Sequence, residues 1–391
     1  MDTSGYRAER CDLCGAEGAH VLAHLATGRS LRSDRKIVAG DLLKLRCRRC
    51  GLVREGHSRH GGELVDYYTN EYDVAPADYT FYLPGGPVAR STLFREWITT
   101  AFGLHRWRTI RRCLEVGAGA GALLAEFQRQ FPECVFAGVE LCESQAAKAR
   151  QRGLNVRQGP LRESADDFYD AIYSVAVLEH VPSPTQFLQD LRLCLRPGGL
   201  LFLCQPTQDV PSYDVFFVDH LHHFGTEHLR KYARKCGFRE LGFVVGQEWM
   251  PNFSLHLWQA ANASTDQQWH GPSAETACAE VVGQVTADMG RLDRTLDRLA
   301  AARRRVAVFG LNEVYALARA YSGLGHFPIA CGLDDRPDNP DLSGLGFPVV
   351  APEACREHHI DDIVLAVNKV YHRQLFQRLA RLGVEVHPVL N

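Results

Sequence analysis

Residues 219–224, with the sequence DHLHHF, bring three imidazoles and one carboxylate into a short segment. Histidine titrates near neutral pH, so such a segment suits either proton transfer or metal binding. His222 and His223 are adjacent and diverge in any regular conformation, whereas His220 and His222 would converge on one face of a strand. This spacing favours proton transfer over metal binding. The remaining alternative is a structural role, in which the side chains fill a loop.

Four cysteines near the N terminus form a second group with chemical potential, and they occur as two C-x2-C pairs: Cys11, Cys14, Cys47 and Cys50. Four thiolates complete a tetrahedral shell for Zn²⁺, and a glycine after each pair permits a tight turn. Because this shell leaves no position for water, the spacing predicts a structural zinc ion. The 32 residues between the pairs exceed the usual spacer and predict an inserted loop.

A glycine-rich segment, CLEVGAGAGALLAEF, contains Glu115 followed by three alternating glycines: Gly117, Gly119 and Gly121. Glycine lets the backbone approach a ligand closely, and a helix beginning near Ala122 would offer unpaired N–H groups. The next strand ends in Glu140, which can accept both hydroxyls of a ribose. The loop lacks the dinucleotide register, and Glu115 suits a cationic amino-acid portion better than a pyrophosphate. These features predict S-adenosylmethionine as the ligand.

Apolar runs of strand length alternate with helical patterns from about residue 110 to residue 261, and this order predicts a doubly wound parallel sheet. Helical periodicity follows over residues 275–304, after which the β/α alternation begins again. The predicted fold class is therefore α/β. Its predicted domains are a zinc ribbon (1–72), a Rossmann-like core (73–265), a helical linker (266–304) and a C-terminal α/β domain (305–391).

Residues 90–262 resemble the class I S-adenosylmethionine-dependent methyltransferases in the glycine loop and in the segments DAIYSVAVLEHV and LRPGGLLFLCQP. The resemblance implies that residues 115–121 lie along the methionine part of the cofactor. It also implies that Glu140, with Leu141 beside it, binds the ribose, and that Gly159 and Pro160 line the adenine. His180, at the carboxyl end of the fourth strand, would face the crevice in which open α/β sheets bind ligands.

The order of the predicted domains resembles the three-domain C-methyltransferases that act on deoxysugar nucleotides. In that family a Tyr-x-Glu-His run after the fifth strand supplies a catalytic base. This chain has FVDH at the matching place, so Phe217 replaces the tyrosine while Asp219 and His220 keep the acid and the histidine. Because the tyrosine is absent, we expect His220 or His180 to be the base. Asp219, beside His220, could fix its tautomer or raise its basicity, and His223 is a further candidate catalytic residue.

The predicted function is methyl transfer from S-adenosylmethionine to a small glycosyl or nucleotide-sugar acceptor, in the biosynthesis of a glycan or of a natural product such as an antibiotic. Two alternatives remain open. One is an O- or N-methyltransferase of another small molecule. The other is a non-catalytic protein that binds a partner through its zinc ribbon and retains an inherited fold.

Bulk composition narrows the classes of partner. The formal net charge is −2, which disfavours a nucleic-acid partner. No apolar run of 18 residues occurs, so we expect a cytoplasmic protein that does not bind a membrane. In the C-terminal domain a nucleotide or sugar could contact the residues Gly310, Asn312, Glu313 and Asp334; alternatively, that domain is a structural cover.

Overall fold

The computed structural model describes residues 10–57, 66–72, 78–161, 168–261, 277–338, 342 and 344–391. The chain divides into two compact units. The first unit comprises Met1–Leu22, Lys44–Asp214 and Asp219–Cys278, and the second comprises Ala23–Leu43, Val215–Val218 and Ala279–Asn391. The domain boundary predicted at 265/266 lies outside the described residues, as does residue 73. The four-domain division stays a prediction.

The strands in the first part of the chain are β1 (Ala19–Leu25), β2 (Arg29–Leu31), β3 (Ile37–Ala39), β4 (Leu42–Cys47), β5 (Val53–Glu55), β6 (Thr80–Leu83), β7 (Gly86–Ala89), β8 (Arg112–Val116), β9 (Val135–Glu140) and β10 (Val156–Gln158). They are followed by β11 (Tyr169–Val175), β12 (Leu195–Pro206), β13 (His222–His223), β14 (Phe238–Gln247), β15 (Met250–Ala260), β16 (Val306–Phe309), β17 (Cys331–Leu333), β18 (Val349–Val350), β19 (Asp362–Leu365) and β20 (Glu385–Pro388). The α-helices are α1 (Arg90–Thr100), α2 (Ala122–Gln130), α3 (Glu143–Gln151), α4 (Pro184–Cys194), α5 (Thr226–Lys235), α6 (Ala277–Ala301), α7 (Glu313–Tyr321) and α8 (His372–Leu379).

The main sheet of the first unit has seven strands in the order β10-β9-β8-β11-β12-β15-β14. The first five strands are parallel, as the alternating pattern predicts. The last two run antiparallel, so the prediction of a wholly parallel sheet is wrong at this edge. Only two residues separate β14 from β15, and a connection that short joins antiparallel strands, whereas parallel strands need a crossover of a dozen residues or more.

Both faces of this sheet are covered. In β8, Leu114 and Val116 pack into one hydrophobic cluster, while Cys113 packs into the other. The same alternation occurs in β12, where Leu201 and Phe202 lie on opposite sides. Burial on both faces explains why these strands are continuous apolar runs without alternating polar residues. Because the helices cover the two faces of the sheet, the carboxyl edge of the parallel strands is lined by loops.

A smaller sheet, in the order β1-β4-β5-β13, connects the cysteine segment with the histidine segment. β4 and β5 are antiparallel, with Lys44 opposite Glu55. β5 also pairs with β13, which places His222 opposite Arg54 and His223 opposite Val53. The DHLHHF segment is therefore the edge strand of a sheet that begins between the cysteine pairs.

The second unit contains a parallel sheet in the order β18-β17-β16-β19-β20. The insertion predicted between the cysteine pairs forms the antiparallel pair β2-β3, which belongs to this unit. The phenol of Tyr321 on α7 joins its segments, because it accepts from the Leu31 N–H (3.0 Å) and donates to the Phe216 carbonyl (2.5 Å). Helix α6 matches the predicted helical periodicity. Among the described residues, no helix has the length and apolar character that a membrane span requires.

Candidate active site

The three glycines after β8 have different physical reasons for lacking a side chain. All have positive φ: +79° at Gly117, +52° at Gly119 and +77° at Gly121. A Cβ at Gly117 would collide with Val177, and one at Gly121 would collide with Leu154. A Cβ at Gly119 would meet nothing within 4 Å. Neighbouring atoms therefore exclude side chains at two positions, whereas the third leaves open space beside the backbone, as a loop that holds a ligand requires.

Glu140 at the end of β9 faces this loop. Its Oε2 accepts from the Gly119 N–H (2.7 Å) and its Oε1 from the Cys142 N–H (2.8 Å). A carboxylate offers about four acceptor positions, so both oxygens retain capacity for ribose hydroxyls. Burial raises the pKa of the Glu140 carboxyl, while the two N–H donors act in the opposite direction. The position fits the predicted ribose contact.

The other predicted cofactor residues occupy the same edge of the sheet. Leu141 directly follows β9, and its carbonyl accepts from Gln158 Nε2 (3.1 Å). Gly159 follows β10, and its N–H donates to the Glu140 carbonyl (2.9 Å), with Pro160 exposed beside it. Glu115 is more deeply placed: it is only 4% exposed, and burial raises the pKa of its carboxyl well above the ordinary value. Tyr173 donates to it (3.1 Å).

His180 lies in a short 3-10 turn, Leu178–His180, after β11. The contact between Gly117 and Val177 brings this turn against the glycine loop. His180 Nδ1 lies 2.9 Å from the Asp219 carbonyl oxygen, which can only accept, so Nδ1 carries the proton and Nε2 keeps its lone pair. Burial lowers the pKa of His180, although Glu179 acts to raise it. A neutral imidazole with a free nitrogen suits the acceptance of a proton near pH 7.

Three site residues were not found from the sequence: Glu179, Tyr68 and Asp214. The first is Glu179, which is 2% exposed and has neither carboxylate oxygen hydrogen-bonded within the described chain. Its Oε1 lies 4.0 Å from His180 Nε2, and burial raises the pKa of its carboxyl to about 7. The sequence did show that Glu179 directly precedes His180 after β11. It could not show that the Glu179 side chain points into the protein and not toward solvent.

The second is Tyr68, in the turn Tyr67–Glu71. Its hydroxyl donates to Asp219 Oδ2 (3.0 Å) and lies 2.7 Å from His180 Nδ1. Burial, followed by the charge of Asp219, raises the pKa of the Tyr68 phenol, which therefore stays protonated. Residues 73–77, which follow this turn closely, lie outside the described residues. Tyr68 thus places a tyrosine hydroxyl beside His180, although Phe217 stands where the resemblance places a tyrosine.

His220 and His223 flank the carboxylate of Asp214. His223 Nδ1 lies 3.0 Å and His220 Nδ1 lies 3.6 Å from Asp214 Oδ2. Burial acts to raise the pKa of Asp214, but the two imidazoles hold it far below its ordinary value. Burial also lowers the pKa of His223 to about 3. The rings of His220 and His180 are perpendicular, with centroids 4.7 Å apart.

One detail of the predicted histidine segment needs correction. His222 was expected to converge with His220, but it stacks on Phe224, while His223 is the histidine that lies near His220. His220 lies outside β13, so the regular alternation on which this expectation rested does not extend to it. The backbone carbonyl and the carboxylate of Asp219 contact His180 and Tyr68, and its role toward His220 stays a prediction.

The four cysteine sulfurs all lie within 4.8 Å of one another. Cys11 Sγ and Cys50 Sγ are 3.5 Å apart, and Cys14 Sγ and Cys47 Sγ are 3.6 Å apart. These separations exceed a disulfide bond and approach the value of about 3.8 Å that a tetrahedral Zn²⁺ with 2.3 Å bonds imposes. In both pairs the following glycine donates to the first cysteine carbonyl, as in Gly15 to Cys11 (2.8 Å). The donor set fits a structural zinc ion.

The candidate residues of the second unit lie at the carboxyl edge of its sheet. Asn312 caps α7 by accepting from the Val314 N–H (2.9 Å), and Glu313 begins that helix. Asp334 follows β17 and accepts from the Arg336 N–H (2.9 Å). Gly310 has a φ of +88°, and a Cβ there would collide with Val367, so packing within the unit accounts for this glycine.

Residues 89–241 match a family that is described as a methyltransferase domain. The sheet order, the glycine loop and Glu140 agree with this match. These residues therefore have a Rossmann-like sheet order and are similar to class I S-adenosylmethionine-dependent methyltransferase domains. The zinc ribbon and the deoxysugar type are not part of that match.

Known proteins resemble part of the chain. The ubiquinone biosynthesis O-methyltransferase of Parvibaculum lavamentivorans is 30% identical over 125 residues, which cover 29% of this chain and 49% of that protein. The trans-aconitate 2-methyltransferase of Deinococcus radiodurans is 32% identical over 102 residues, covering 25% and 39%. The chain thus spans about half the length, or less, of these relatives. The structure of the mitomycin 7-O-methyltransferase MmcR aligns at 17% identity with a TM-score of 0.38, covering 44% of this chain and 54% of that one.

Replacement of Gly117 by alanine should destabilise the first unit. Overpacking against Val177 costs about 1–3 kcal/mol, and a left-handed non-glycine residue costs roughly 1–2 kcal/mol more. Urea unfolding should show that Val177→Ala, added to Gly117→Ala, recovers the overpacking part. Gly119→Ala is the matched control, since its Cβ meets open space. Equal losses in the two single variants would contradict this assignment.

Proposed function

We propose that the protein transfers a methyl group from S-adenosylmethionine to a small acceptor, and that this acceptor is a sugar or a nucleotide-linked sugar. One observation supports methyl transfer above all: the glycine loop and Glu140 share the carboxyl edge of the main sheet with His180, whose ring contacts the rest of a buried histidine cluster formed by His180, His220 and His223. When bound, the cofactor supplies an electrophilic methyl group on its sulfonium. The protein has to hold the acceptor in line with that group and remove its proton.

The histidine cluster supplies the groups for proton removal in this proposal. His220 is the proposed base, with His180 as the alternative, because the His180 turn lies against the glycine loop and the centroid of the His220 ring is 4.7 Å from that of the His180 ring. Asp214 is placed to stabilise a positive charge on His220 or His223. Asp219 positions the His180 ring through its carbonyl, and Tyr68 bridges that ring and the Asp219 carboxylate.

The acceptor class rests on the resemblance in domain order and on the Asp219-His220 pair. A second acceptor class has its own support, since the named relatives include an O-methyltransferase of ubiquinone biosynthesis. Incubation with methyl-labelled S-adenosylmethionine and a panel of nucleotide sugars and phenols separates the two classes. Label on a nucleotide sugar supports the proposal, and label only on phenols supports the second class.

Replacement of Glu140 by alanine should weaken cofactor binding by about 1–3 kcal/mol, the scale of unmade charge-assisted hydrogen bonds. Isothermal titration calorimetry with S-adenosylmethionine measures this effect. Glu143→Ala is the matched control. Glu143 lies three residues after Glu140, is exposed and pairs with Arg150. Unchanged affinity in Glu140→Ala would refute the ribose role. Absence of binding to the unmodified protein would favour the non-catalytic alternative.

Replacement of His220 by asparagine should lower kcat roughly a hundredfold or more if His220 takes the proton. Cofactor affinity should stay unchanged, since the histidine cluster is separate from the ribose contact. His222→Asn serves as a control in the same segment, because His222 stacks on Phe224. A near-normal rate in His220→Asn would transfer the role to His180, which the corresponding His180→Asn variant then tests.

We propose that Cys11, Cys14, Cys47 and Cys50 hold one structural zinc ion, on the basis of the sulfur separations. Metal analysis of the purified protein should give one zinc per chain, and Cys14→Ser should lower both the zinc content and Tm. Cys134→Ser is the control, since Cys134 lies outside the cluster. Full zinc content in Cys14→Ser would contradict the assignment.

A further inference from the structure

Lys44 is a fully buried cation in the strand that leads to Cys47. Its side chain is 0% exposed, and its Nζ lies 3.1 Å from Glu55 Oε2, a carboxylate that is itself 3% exposed. The same Nζ donates to the carbonyl oxygen of His220 (2.8 Å). Removing two charges from water is costly, and buried ion pairs often contribute little net stability. The pair therefore calls for a reason other than stability.

Lys44 binds the main chain of the histidine segment two residues before β13 begins. The adjoining residues are held by backbone bonds: the Glu55 N–H donates to the Leu221 carbonyl (2.9 Å), and β13 pairs with β5. The His220 carbonyl precedes this ladder and is bound by the lysine instead of a strand. Hydrogen bonds from β5 hold the backbone as far as Leu221, and the bond from Lys44 holds the residue before it, His220. The ring of His220 lies against Asp214 and His180.

We propose that Lys44 is a positioning residue for methyl transfer, which holds the main chain at His220 and thereby sets the His220 ring against Asp214 and His180. This proposal rests on the proposed function. The lysine acts through His220 and touches neither the cofactor nor the acceptor. The imidazoles are useful only within a narrow range of positions, because an error of about 1 Å in a reacting group can cost about a hundredfold in rate.

Glu55 has a different part in this arrangement. It neutralises the buried ammonium, and its Oε1 lies 3.3 Å from the His57 N–H. Removal of Lys44 alone would leave a buried carboxylate without its cation, and that loss would unfold the segment for reasons unrelated to His220. A test has to remove both charges together, which proteins tolerate much better.

The test uses the full-length protein with Lys44→Met and Glu55→Met combined. Hydrogen exchange of the amides in residues 219–224 should become roughly tenfold faster, because the segment loses its anchor. With the acceptor found by the labelling assay, kcat should fall about ten- to a hundredfold. S-adenosylmethionine affinity, measured by calorimetry, and zinc content should stay at their unmodified values.

Two single variants make the result specific. Glu55→Asp keeps a carboxylate for the buried ammonium and keeps the ammonium donor to the His220 carbonyl, so exchange and kcat should stay close to those of the unmodified protein. Lys44→Arg also keeps a cationic donor and should restore a large part of the rate that the double variant loses. Recovery by arginine is not expected if the lysine only fills space.

Unchanged kcat and unchanged exchange in the double variant would overturn the proposal. A loss in Glu55→Asp as large as that in the double variant would also overturn it, because the geometry of the ion pair and not the bond to His220 would then be responsible. If the unmodified protein methylates no acceptor, the proposed function fails separately. Exchange in residues 219–224 then decides alone whether Lys44 holds the segment.

Discussion

Parallel pairing of β8 with β9 on one side and with β11 on the other is the constraint on which the site depends. Parallel strands end at the same edge, so loops that are far apart in sequence meet there. The glycine loop follows β8, Glu140 ends β9, and the His180 turn follows β11. Packing of Gly117 against Val177 then joins the first and third of these loops directly.

The histidine side of the site depends on a second, smaller sheet. Strands β4 and β5 lie between and after the cysteine pairs, and β13 contributes two of the three histidines of DHLHHF. The N-terminal segment therefore contacts the histidine segment directly and supplies the edge on which it forms. Of the four cysteines, Cys47 and Cys50 lie at the turn that connects β4 to β5, whereas Cys11 and Cys14 lie in the turn before β1.

Burial gives the groups of the cluster distinct electrostatic roles. Asp214 remains charged because two imidazoles lie against it, whereas burial raises the pKa of Glu179 to about 7 although His180 acts to lower it. His180 is neutral, with one nitrogen fixed by a backbone carbonyl. Imidazoles beside a fixed carboxylate can accept a proton and stabilise the resulting charge, which agrees with the proposed methyl transfer.

The sequence by itself determined the features that depend on local spacing. The C-x2-C pairs, the glycine loop with Glu140 and the alternation of strands and helices were recognisable because each is defined by neighbours in the chain. The tertiary structure alone decided the rest. The antiparallel edge came from a two-residue connection, and Asp214, Tyr68 and Lys44 reached the histidines through folding of distant segments. Glu179 was adjacent to His180 in the sequence, yet only burial distinguished it from an ordinary acid. A residue's spacing is local, whereas the direction of its side chain and its solvent exposure depend on contacts made across the whole fold.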